Sequence, residues 1–407
     1  MSIFDTVAIL ITLSALFGYV NHRFIKLPTV IGLMLISILM SFGLFLLGYL
    51  HLGYEKPWMD FVKNIDFNKT LMVGMLSFLL FAGALHVDVD ELLKQRWEVI
   101  VYATVGVVIS TVLVGAMTHV VLDVLGIKIK FIYCLLFGAL ISPTDPIAIL
   151  GILRRAAIPK GIEVQIAGES LFNDGVGVVL FTVLLEMAIS NNAASVGSAF
   201  VFFAEETVGG AFLGFLLGWT AYKLLKSIDN YQVEILITIS LVMGGYALAS
   251  ALHTSGPIAI VVAGLLIGKH GRTFAMSDTT RRNLDMFWEF VDEILNSVLF
   301  ILIGLELLVI NLSACYLIAA MAAVPIVLLA RTLSIGLPMR LFSFRKPFDL
   351  NMFKIMIWGG LRGGIAVALV LSLPSGVERD LLVTMTYVVV VFSILVQGLT
   401  LKYVMKR

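Results

Sequence analysis

The feature that most constrains this sequence is its succession of long apolar runs. Thirteen of them, at 3–21, 28–50, 68–87, 97–123, 131–152, 163–189, 198–226, 232–252, 256–269, 284–310, 312–341, 351–373 and 381–403, occupy most of the 407 residues. A helix needs about 20 apolar residues to cross the hydrocarbon of a bilayer, and most runs reach that length. Only 14% of residues are charged and mean hydropathy is +1.03, against about 25% charged in soluble domains. Lipid is therefore the solvent. No period-two alternation suggests a β-barrel, so the spans are helices that satisfy their own backbone. The expected fold is an all-α polytopic membrane protein of about 13 transmembrane helices. The ninth run is short, and 28–50 is a candidate for interruption. The first run has neither basic leader nor small-residue cleavage pattern and reads as a retained helix. A net charge of +1 gives no basic surface for nucleic acid. Cys134 and Cys315 lie in separate apolar runs and make no metal or disulfide pattern.

Lys and Arg placement orients the spans. Of the 28 basic residues, 20 fall on one set of loops, from Arg23 and Lys26 through Arg154, Arg155 and Lys160 to Lys402, Lys406 and Arg407. Six, including Lys56, Lys128 and Arg379, fall on the other. This places the N-terminus outside and the C-terminus in the cytoplasm, and requires an odd number of spans. Loops of no more than about 20 residues leave no soluble domain, so function resides in the membrane.

The two remaining basic residues, Arg331 and Arg362, sit inside spans. Ionisable groups there are costly and mark ion pathways. The fifth span contains Ser142-Pro-Thr-Asp-Pro146, and prolines on both sides of Thr144 and Asp145 predict a broken helix whose freed backbone groups line a cavity. The sixth span carries Gly168-Glu-Ser-Leu-Phe-Asn-Asp-Gly175. Ser170 and Asp174 share one helix face there, with Glu169 and Asn173 on a neighbouring one. Two carboxylates so close need separate partners: one faces an ion, the other a protein cation. That cation is most simply Arg362, in Trp358-Gly-Gly-Leu-Arg-Gly-Gly-Ile365 of the twelfth span, where four glycines allow an unwound backbone. Asp174 and Arg362 each lie eleven residues from an inner helix end, about 16 Å deep, and Asp145 enters from the opposite side. For Arg331 a carbonyl, a lipid headgroup and an acidic side chain are all open as partners. Glu306 near the outer end reaches the surface by snorkelling, and a solvated inner face accounts for Glu289, Asp292 and Glu293. Packing roles suit His86 and His253.

The interrupted fifth and twelfth spans occupy matching positions if spans 1–6 and 8–13 are inverted repeats, and such pairs point to a transporter's binding site. Together, Ser142-Pro-Thr-Asp-Pro-Ile-Ala148, Gly168-Glu-Ser-Leu-Phe-Asn-Asp-Gly175 and Gly359-Gly-Leu-Arg-Gly-Gly-Ile-Ala366 resemble the monovalent cation/proton antiporters of the NhaP and eukaryotic sodium/proton exchanger type. The resemblance implies two inverted six-helix repeats with crossed discontinuous helices 5 and 12. It implies a dimerisation domain (1–90 and 231–310), an ion-translocating core (97–190 and 312–404), a linking helix (198–226) and a homodimer. Asp174 would bind cation or proton, and Asp145, Ser170 and Thr144 would complete the Na⁺ site. Asn173 would mark the electroneutral branch, and Glu169–Arg362 would form a structural ion pair. One departure stands out: where many members carry Glu in the third span, Leu79-Leu-Phe-Ala-Gly-Ala-Leu85 has Ala82.

The function so implied is exchange of Na⁺ or Li⁺ for H⁺ across a plasma (inner) membrane, with no cofactor and no enzymatic step. Burial disfavours a carboxylate's charge, so cation and proton can compete for one Asp. A K⁺/H⁺ antiporter of the same fold is the nearest alternative. A cation channel would need a filter or pore loop, and none is visible. An intramembrane hydrolase lacks any Gly-x-Ser-x-Gly or His-Glu-x-x-His signature.

Overall fold

A computed structural model of the chain describes residues 3–50, 55–63, 65–145, 160–189, 196–272, 275–310, 313–342 and 349–405. Pro146, the second half of the fifth span, and Arg154, Arg155, Arg345, Lys346, Lys406 and Arg407 lie outside them. The described chain is helical, without a strand. Its membrane helices, numbered here in order, are α1 (Ile3–Val20), α2 (Thr29–Tyr49), α3 (Phe67–Leu85), α4 (Arg96–Val124), α5 (Phe131–Ile141), α6 (Lys160–Ile189) and α7 (Val196–Lys226). They continue as α8 (Tyr231–Ala251), α9 (Gly256–Lys269), α10 (Asp278–Glu306), α11 (Ala314–Phe342), α12 (Leu350–Trp358), α13 (Gly364–Leu371) and α14 (Val377–Val404).

Nine of the described helices are long and apolar enough to cross a membrane. The rest depart from that standard for physical reasons. The α5 helix stops at the proline-flanked segment, α12 and α13 are two halves of one span parted at the glycine run, and α9 is short as expected. The inner half of α10 carries Asp285, Glu289, Asp292 and Glu293. By contrast α2 runs unbroken through 28–50, because its sequence holds glycines but no internal proline.

Large apolar side chains stay uncovered on the outer faces, among them Phe4, Phe42, Phe45, Phe212 and Phe215. Inside the bundle, α2 packs on α10, α3 on α9, α7 on α9, α4 on α5 and α11, and α11 on α14. Without a hydrophobic drive between helices, small residues permit close contact. Thus Gly210, Gly214 and Gly218 form a four-residue repeat on α7 against Ser255, Ala259 and Ala263 of α9, and a Cβ at Gly214 would lie 2.2 Å from the Ala259 carbonyl oxygen. Trp288 is fully buried beside Phe78 and Phe81 and donates to Thr238 Oγ1 at 3.1 Å. Glu306 does not reach the surface as expected: it is buried at the end of α10, with Arg379 of α14 acting on it electrostatically.

Candidate functional site

The two interruptions foreseen in the sequence meet each other. Beyond α5 the chain leaves the helix, and Asp145 N–H donates to Leu361 O at 2.7 Å, a backbone bond from one break to the other. Thr144 N–H donates to Asn173 Oδ1 at 3.2 Å, Asn173 Nδ2 donates to Thr144 Oγ1 at 2.9 Å, and Thr144 Oγ1 shares a 2.9 Å hydrogen bond with Ser170 Oγ. All three side chains are buried. Asn173 therefore uses both ends of its amide to tie α6 to the break. A carboxylate in its place could not donate to Thr144.

The second break is held from α14. Arg362 N–H donates to Ser393 Oγ at 2.9 Å and Gln397 Nε2 to Trp358 O at 3.1 Å. Both side chains come from a wide π turn, Ser393–Gln397, a distortion frequent at functional sites. The glycines provide room: a Cβ at Gly360 would lie 2.6 Å from Arg331 Nε, and one at Gly363 2.2 Å from Asp145 Oδ2.

The partnership of the two buried arginines differs from expectation. Glu169 pairs with Arg331, through both of its oxygens, and not with Arg362. Arg362 instead donates through NH1 to the carbonyls of Ser142 and, at 2.9 Å, Pro143. The reason is the breaks themselves. Each leaves helix-terminal carbonyls without an N–H partner, where the helix dipole favours a cation. Arg362 serves the end of α5. Arg331, reaching from α11, serves the end of α12 by donating to Met356 O at 3.0 Å while neutralising Glu169. The sequence signal for Arg331 was its isolation: it is one of two basic residues within a span.

Asp145 and Asp174 line one cavity of about 610 Å³. It is bounded by Leu80 and Ala82 of α3, Leu171 of α6, and Gly363 and Gly364 at the start of α13. Asp174 is buried, and Asp145, half-buried, abuts the N-terminal end of α13, where backbone N–H groups favour negative charge. The same cavity reaches exposed Asp88 and Lys160 and the acidic part of α10, so it opens on the face rich in Lys and Arg. Thr144 and Ser170 do not line it. They stand behind Asp145, bonded to each other and to Asn173. His86 lines the cavity, with its Nδ1 2.7 Å from Ala82 O.

This geometry gives Gly363 a sharp expectation. Its backbone, at φ −118° and ψ −158°, is extended and open to any residue, so Gly363→Ala adds only the clash with Asp145. Moving that carboxylate is expected to raise the half-saturating cation concentration about tenfold, near 1.4 kcal/mol, and to lower thermal stability as well, because Asp145 Cβ would lie 2.7 Å from the new methyl and cannot yield without its backbone. Equal values for variant and wild type in a cation-titrated transport assay would contradict this.

Two helix ends meeting at Asp174, buried, and Asp145, half-buried, in a cavity open to one face, define a secondary transporter for small cations. The family described as "Sodium/hydrogen exchanger, transmembrane" matches residues 11–407. The chain is 48% identical to the Na⁺/H⁺ antiporter NhaP of Pseudomonas aeruginosa, over 99% of this chain and 96% of that one. It is 33% identical to the Na⁺/H⁺ antiporter NhaH of Halobacillus aidingensis, over 95% and 93%. The solved structure of the sodium proton antiporter MjNhaP1 from Methanocaldococcus jannaschii shares the fold with a TM-score of 0.77 at 18% identity, covering 99% and 98% of the two chains. The chain belongs to the sodium/hydrogen exchanger family.

Proposed function

We propose that this protein exchanges Na⁺ or Li⁺ for H⁺ by alternating access, one cation against one proton, with both competing for Asp174. The observation that carries the reading is the cavity shared by two carboxylates, buried Asp174 and half-buried Asp145. Asp174 is buried where it lines the cavity, whereas Asp88, Lys160, Glu289 and Glu293 on the same lining are exposed. In a site of low dielectric an unneutralised carboxylate is unfavourable, so the core crosses only with Asp174 protonated or cation-bound. That rule makes exchange obligatory. Asp145, poised at the start of α13, supplies the second carboxylate. The hydroxyls of Thr144 and Ser170, bonded to each other behind Asp145, are the expected further oxygen ligands for a hard cation once ion binding opens that bond.

The uncharged Asn173, already engaged with Thr144, supports one-for-one stoichiometry, because it brings no second titrating group beside Asp174. Spans 1–3 and 8–10 form the static dimerisation domain and spans 4–6 and 11–13 the moving core, with α7 linking them. The Lys- and Arg-rich face is cytoplasmic, the N-terminus is outside, and the cavity is the inward-facing access path in a plasma membrane. K⁺ is the competing substrate. Proteoliposomes loaded at acid pH and diluted into alkaline medium with ²²Na⁺ test the reading. Uptake driven by the proton gradient and suppressed by unlabelled Na⁺ or Li⁺ is expected. No ²²Na⁺ uptake, with ⁸⁶Rb⁺ uptake driven by the proton gradient and suppressed by K⁺ in its place, would transfer the function to K⁺/H⁺ exchange, and uptake that moves no protons and follows membrane potential would indicate a channel.

A further inference from the structure

The wall of the cavity facing the two aspartates is α10, and it carries polar groups that the exchange reaction above does not use. Glu289, Glu293 and Asn296 stand at i, i+4 and i+7, within one helix face, and all three line the cavity. The two glutamates are exposed at its mouth. Asn296 is 3% exposed, and among the described residues neither its Oδ1 nor its Nδ2 has a hydrogen-bond partner. An amide buried without partners carries the full desolvation penalty of its polar groups. Such groups are retained where a ligand or a second state satisfies them. Apolar contacts hold this one in place: one turn further along, Leu299 packs against Gly364 at the start of α13.

We propose that Asn296 is a cation ligand contributed by the static side of the protein, its Oδ1 replacing a hydration water as the ion passes from the acidic mouth to Asp174. A neutral oxygen is suited to this step. It lowers the dehydration cost of the cation without offering a second site for a proton, so one-for-one exchange is preserved. From α3 on the same wall Ala82 offers no side-chain oxygen, which leaves Asn296 as the buried polar side chain that α10 presents there. The proposal rests on the antiport reading above.

The test measures Na⁺ titrations of proton movement in proteoliposomes for wild type, Asn296→Ala and Asn296→Asp. Asn296→Ala is expected to raise half-saturating Na⁺ about tenfold with the saturated rate kept within about threefold of wild type. Asn296→Asp, which keeps the oxygen, should hold half-saturation at or below the wild-type value. If Asn296→Ala does not fold, Asn296→Asp decides alone: a raised half-saturation overturns the proposal. So does an unchanged value in Asn296→Ala, or an equal rise in both variants, which would assign the residue to packing. A wild type that does not respond to Na⁺ instead removes the antiport reading itself.

Discussion

Replacing Asp174 by Asn is expected to abolish coupled exchange while leaving the protein folded. The carboxylate is buried on α6, and no side chain or backbone group among the described residues donates a hydrogen bond to it. Replacing it therefore breaks no hydrogen bond among the described residues and removes a carboxylate from a buried position, so thermal stability should hold or rise. Transport should fall to the level of empty liposomes, because the amide binds neither a proton nor a cation strongly at neutral pH. Loss of activity together with loss of folding would assign Asp174 to structure instead. Measurable Na⁺-dependent proton movement in a well-folded variant would remove it from the mechanism.

The second large effect concerns the ion pair that reaches from α11 to α6. Arg331→Ala leaves Glu169 buried and uncompensated, and removes the donors to Met356 O. Breaking one side of a buried pair costs about 3–5 kcal/mol, so the variant is expected to lose most of its folded yield or a large part of its thermal stability. Replacing both partners together, Glu169→Leu with Arg331→Met, should be far milder, since no orphaned charge remains. A double-mutant cycle read by thermal unfolding distinguishes the two arginines. Strong coupling is expected between positions 169 and 331, of about 3 kcal/mol at most, and weaker coupling between 169 and 362. The reverse order would restore the pairing that sequence alone suggests. Arg362→Ala acts differently, freeing the carbonyls of Ser142 and Pro143 and thereby loosening the break that positions Asp145.

These particulars show what was legible in the sequence. The all-helical membrane character was readable because span length and hydropathy are local properties of the chain. The break at Asp145 was readable because proline imposes it, and that at Arg362 because four glycines permit it. The depth count grouped Asp174 with Arg362, and Asp145 was placed with them only as entering from the opposite side. The partner of Glu169 was not readable. Arg331 lies 162 residues away, and the choice depends on which helix end each guanidinium must satisfy once α11 has crossed the second break. The role of Asn173 was only half readable: its identity was visible, but its bonds to Thr144 required α5 and α6 to be placed together. Asn296 left no sequence signal. An Asn at the start of an apolar stretch looks like many others until both ends of its amide are found buried and, among the described residues, without partners. The glycine repeat on α7 had a visible period, yet its meaning depends on α9 as neighbour.

The account stands most directly on intraliposomal pH recorded after a Na⁺ gradient is imposed on the purified protein, with membrane potential clamped at several values, for wild type and Asp174→Asn. It predicts Na⁺-dependent proton movement whose rate and end point do not change with the clamp, and none in the variant. Proton movement that follows the clamped potential would contradict one-for-one exchange at Asp174, and equal movement in the variant would contradict the central place given to that carboxylate.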